Sequence, residues 1–82
     1  MIFMAITSEG LVVALESAKI IGGHVWCGSD AVSESDGKKM KISRFNYSLM
    51  GGDKGVIDEA LETIREHHPG QVIWVEGMIS SV

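Results

Sequence analysis

Cysteine, proline and aromatic residues are all scarce in this chain, and so is positive charge. Of 82 residues, one is cysteine (Cys27), one is proline (Pro69) and 6% are aromatic. A lone cysteine excludes an intrachain disulfide, so a reducing, cytoplasmic setting is the default expectation. Seven Lys and Arg stand against 11 Asp and Glu, giving a net charge of −4. That balance disfavours non-specific binding to nucleic acid or to an anionic membrane, because such binding works by neutralising phosphates. No apolar run nears the roughly 18 residues a membrane span needs. The opening stretch from Met1 to Ile6 is apolar but short and carries no positive start, so no signal peptide and no membrane partner are expected.

What is present is an ordinary globular composition, 45% hydrophobic and 22% charged. It is too apolar for disorder. The length fits one domain, residues 1–82, and a chain of this size removes only about 60–65% of its unfolded surface from water.

The pattern along the chain reads strand, helix, strand, strand, helix, strand. Residues 2–7 are apolar on both alternating faces, as in a central strand covered on both sides, or on one side with a sticky second face. Ser8 is a candidate cap for a helix over 9–21, with Leu11, Leu15 and Ala18 on one stripe and Gly22-Gly23 as its stop; the β-branched Val12 and Val13 make a strand the rival reading there. Residues 24–32 read as a second strand, and 33–37, ending in Asp36-Gly37, as a hairpin turn. Residues 38–47 read as a third strand, in which Met40 and Ile42 alternate with Lys39 and Lys41; a bulge near Ser43-Arg44 explains the slip in alternation that follows, or the two faces are both semi-buried. Gly51-Gly52-Asp53 is a loop, with Asp53 capping a helix over 54–68. Val56, Ile57, Ala60, Leu61 and Ile64 form that helix's core stripe, and Pro69-Gly70 ends it. Residues 71–76 make a fourth strand, and 77–82 an edge extension or a frayed end. This βαββαβ order predicts an α+β fold: a two-layer ferredoxin-like sandwich, with a four-stranded antiparallel sheet and two helices on one face.

Four groups of residues are candidates for function. Asp58, Glu62 and Glu66 are spaced i, i+4, i+8 with Glu59 adjacent, so they stack along one side of the second helix. Lys54 and Arg65 offset the mutual repulsion only in part. Such a strip suits a protein partner with a basic surface and mimics a row of phosphates. His24, Cys27, His67 and His68 are residue types that bind metal. However, His24 and Cys27 point to opposite faces of a strand, and the histidine pair sits at a helix end where a cation is favourable anyway. No metal and no cofactor are therefore expected, and Cys27 reads as a buried structural thiol. The glycine loop 51–55 lacks Walker spacing and carries Asp53, which repels phosphate.

The fourth group carries a family resemblance. The segment from Ile2 to Ile6 resembles the second consensus of RNA-recognition motifs, and the segment from Arg44 to Leu49 resembles part of the first. That resemblance implies base stacking on Phe3, Phe45 and Tyr47, with Lys39, Lys41 and Arg44 on phosphates. The chain departs from those motifs in placing Arg44 directly before Phe45 and Ile6 at the end of the first strand. An apolar, aromatic sheet face would also favour a symmetric homodimer.

No motif in the chain specifies a reaction, and no catalytic constellation is visible. The expectation is a small, acidic, non-catalytic interaction module. By analogy of size and charge, it compares with phage- or mobile-element-encoded inhibitors that occupy a basic, nucleic-acid-binding surface of a host protein. An RNA- or single-strand-binding domain of the RNA-recognition-motif type is the alternative.

Overall fold

Strand β1 (Ile2–Ala5) is apolar at every position and buried at every position, as a strand must be when both of its faces are covered. The structure, a computed structural model, describes residues 1–51 and 53–77. The expected edge extension at the end of the chain lies, apart from Gly77, outside the described residues.

Helix α1 (Ser8–Ile21) starts one residue earlier than the expected Ser8 cap. Thr7 is the cap, and its hydroxyl accepts from the Gly10 amide at 3.0 Å. Glu9 in the first turn and Lys19 in the last turn complement the helix dipole. The helix ends at Gly22, with φ 76°. Strand β2 (His24–Cys27) then stops at Gly28 rather than running to residue 32. Gly28 lies flat against Leu49: a Cβ there would stand 2.9 Å from the Leu49 amide nitrogen. Leu49 can approach the chain this closely only because Gly28 has no side chain.

The largest departure from the sequence reading follows. Residues 33–37 form no hairpin. Ser33 caps a helix α2 (Glu34–Met40), accepting from the Asp36 amide at 3.2 Å. Glu34 and Asp36 occupy its first turn, Lys38 and Lys39 its last, and Lys41 closes it in the left-handed conformation with φ 59°. The alternation of Met40 and Ile42 with Lys39 and Lys41 is therefore part of a helical turn and its exit, not of a strand. Strand β3 is only Ser43–Arg44, so the slip read as a bulge marks the start of the strand instead. Helix α3 (Lys54–His67) forms as expected, with Asp53 as cap accepting from the Gly55 amide at 2.9 Å. Strand β4 spans Ile73–Val75.

Strands β1, β2 and β3 are thus each followed by a helix that returns the chain to the same end of the sheet, and such connections make strands parallel. The order is β3-β2-β1-β4, and every pairing is parallel. This corrects the expected antiparallel, ferredoxin-like α+β sandwich: the fold is an open α/β sheet with helices on both faces. The first two crossovers step one way from β1 and the third steps back past it. Because parallel crossovers are right-handed, that reversal puts α3 on the opposite face from α1 and α2.

The two faces carry separate cores. Phe3, Ala5, Val25 and Cys27 meet Leu11 and Ala14 of α1 and Ala31. Ile2, Met4 and Trp26 meet Ala60 and Ile64 of α3, together with Phe45 and Leu49. α1 packs on β1 and β2, so among the described residues no helix lies above β4 on that face.

Candidate functional site

In open parallel sheets, ligands bind outside the carboxyl ends of the strands, where the winding reverses direction. Here that point lies between β1 and β4. Thr7 leaves β1 into the first turn of α1, and Glu76 follows β4. The two meet 69 residues apart in sequence: Thr7 Oγ1 donates to Glu76 Oε2 at 2.6 Å. The Ile6 and Thr7 amides donate to Glu76 Oε1 at 2.7 and 2.8 Å. A side-chain carboxylate therefore sits where the first strand-helix turn of a doubly wound sheet ordinarily receives phosphate.

Gly10 makes room for it. A Cβ at Gly10 would overlap the Glu76 carboxylate. Burial by itself would raise the Glu76 carboxyl, but the hydrogen bonds from the Thr7 side chain, the Thr7 amide and the Ile6 amide outweigh it and hold the group below its ordinary value. Beside this seal, on the α1 face, a groove of 490 Å³ runs between α1 and β4. The sequence reading missed Thr7, Gly10, Trp74 and Glu76. Their only local signal was a threonine three residues before a glycine at a strand-helix junction.

The acidic strip lies on the outer face of α3. Asp58, Glu59, Glu62 and Glu66 are all exposed, within an arc of about 100° on the helix. Among the described residues the one ion pair is Glu34–Lys38 on α2, so the four carboxylates have no cation within pairing distance. Half-buried Tyr47 stands beside this strip: its phenol pKa is raised by burial and by the Glu59 charge.

The stacking platform implied by the RNA-recognition-motif resemblance is not assembled. Phe3 and Phe45 are 8% and 7% exposed and lie in the cores on opposite faces of the sheet. Phe45 stacks against Tyr47 and Trp26 at ring-centroid distances of 5.1 Å each. Arg44 is committed to the turn after β2, donating from Nε to the Val32 carbonyl at 2.8 Å and from Nη2 to the Ser29 carbonyl at 3.1 Å. Lys39 and Lys41 are exposed on and after α2. The apolar sheet face invoked for a homodimer is covered by α3.

The histidines come together in a way the sequence did not show. His24 at the start of β2 and His68 at the end of α3 have ring centroids 5.5 Å apart. The Trp26 indole donates to His68 Nε2 at 3.2 Å, and His24 Nε2 pairs with Ser43 Oγ at 2.7 Å. Burial and the neighbouring His68 lower the His24 pKa. Cys27 is on the other face and fully buried, and burial raises its thiol pKa more than the Arg44 charge lowers it. Among the described residues no group of three or more His, Cys, Asp and Glu side chains is placed to hold a metal ion, and no helix is long and apolar enough to cross a membrane.

No protein-family model matches the chain, and neither the curated proteins nor the solved structures returned a match.

Proposed function

We propose that this chain is a non-catalytic protein-interaction module that docks through the outer face of α3 on a basic surface of a protein partner, of the kind that holds nucleic acid. The observation that supports this reading is the set of four exposed, unpaired carboxylates, Asp58, Glu59, Glu62 and Glu66, with the Tyr47 phenol beside Glu59. Solvated acidic strips steer association towards positive partners and fix register. A half-buried tyrosine supplies the rigid, amphipathic contact around which interface energy concentrates.

The test compares wild type with the triple variant Asp58→Lys, Glu59→Lys, Glu62→Lys in affinity capture from nuclease-treated cell lysate. All three positions are exposed, so the variant is expected to fold, and its circular dichroism spectrum checks this. The reading expects a protein captured by wild type, with a salt-sensitive yield, and lost in the variant. Equal capture by a folded triple variant removes α3 as the docking surface.

A further inference from the structure

The groove between α1 and β4 is independent of the acidic face of α3, and its walls and its charge specify what fits. Its floor is Phe3. One wall is Val13 of α1 and the other is Trp74 of β4. Val13 and Trp74 are 63% and 58% exposed, although both are large and apolar and lie on facing elements. The 490 Å³ volume lies within the range of roughly 300–1,000 Å³ typical of small-molecule sites. The position, at the reversal of winding, is where open parallel sheets take ligands.

The charge at the carboxyl-edge end decides the class of ligand. Glu9 and Glu76 both line the groove, and among the described residues no Lys, Arg or His does. The amino end of α1 contributes the equivalent of about half a positive charge. Two carboxylates outweigh it, leaving a local charge of about −1.5. An anionic group approaching the α1 turn meets the Glu76 carboxylate, which already accepts the Ile6 and Thr7 amides. A carboxylate offers about four acceptor positions. Glu76 uses two on Oε1 and one on Oε2, so Oε2 keeps one free for a donor. An ammonium group supplies donors and the matching charge, and an aromatic body fills the space between Val13 and the Trp74 indole, where ring stacking adds to burial.

We propose that this groove binds a small arylalkylamine, with the protonated amine at the Glu9–Glu76 end and the ring against Trp74. The experiment is a 15N-resolved NMR titration of the full chain at neutral pH with phenethylamine, matched against 3-phenylpropionate, which has the same ring but the opposite charge. Concentrations run to about 10 mM, since ligands of this size bind in the millimolar range or tighter. The expected result is that phenethylamine shifts the Gly10 and Gly77 amides and the Trp74 indole signal, while phenylpropionate leaves them in place. Two variants at exposed positions keep the fold: Glu9→Gln should weaken phenethylamine about fivefold, and Val13→Lys should abolish the shifts by placing a cation in the groove. Equal shifts from both ligands would overturn the proposal, as would shifts confined to other parts of the chain, no shifts at the highest concentration, or unchanged binding in Val13→Lys.

Discussion

Replacing Glu76 by alanine removes a carboxylate that ties the end of β4 to the start of α1. Three hydrogen bonds to a charged acceptor disappear, from the Ile6 amide, the Thr7 amide and the Thr7 hydroxyl. A bond to a charged group contributes about 1.5–3 kcal/mol when nothing replaces it. Glu76 is only half-buried, so water re-enters from the open side and recovers much of that sum. A net loss of about 2 kcal/mol is expected, which for a domain of this size lowers Tm by about 8–16 °C. Thermal unfolding followed by circular dichroism at neutral pH measures it. The pH dependence is the sharper check. The folded-state pKa of Glu76 lies below the ordinary 4.5, so between the two values the unfolded chain binds more protons than the folded one. The stabilisation is fully present above pH 4.5 and is lost as pH falls through the lower, folded value. Glu76→Gln keeps the shape but does not titrate. The stability gap between wild type and Glu76→Gln should therefore be constant above about pH 5 and shrink below it. A gap that is absent at neutral pH, or that stays constant down to pH 3, refutes the account of Glu76 as an ionised seal.

Gly10→Ala tests the same contact from the other side. In wild type it should destabilise, because its Cβ displaces the Glu76 carboxylate. In a Glu76→Ala background it should stabilise by roughly 0.5–1 kcal/mol, since alanine is the better helix former. Additive effects in that double-mutant cycle would show that the two residues do not touch. Cys27, fully buried with a raised pKa, should leave an aromatic disulfide reagent unreacted in the native protein at pH 8 and react at once in denaturant. Fast native labelling would show that the β2 end opens readily.

The elements that the sequence made legible are those whose signals are local. Strand β1 is apolar at every position, and α3 has an Asp53 cap, a clear apolar stripe and a proline-glycine stop. The strip of Asp58, Glu59, Glu62 and Glu66 was readable for the same reason: helical spacing alone puts the four residues on one side. α2 was misread because two local signals compete there. Asp36-Gly37 is a hairpin pair, yet Ser33 with an acidic residue three positions on is also a helix start. In the helix Gly37 packs inside the fold beside Val32 and Arg44, a contact that a turn at a hairpin tip would not make.

That single element changed the whole architecture. Without α2 the chain reads as a hairpin and an antiparallel sheet; with it, every strand returns in the same direction. Composition and periodicity are properties of neighbouring residues, so they made legible an acidic chain with one cysteine, an apolar first strand and two long helices, but not whether that strand is covered on one face or on both. The tertiary structure alone decided strand direction, the separation of Phe3 from Phe45 on opposite faces, the approach of His24 to His68, and the closing of the α1 turn by Glu76. Each of those depends on residues far apart in the chain being brought together by packing, and no local pattern encodes that distance.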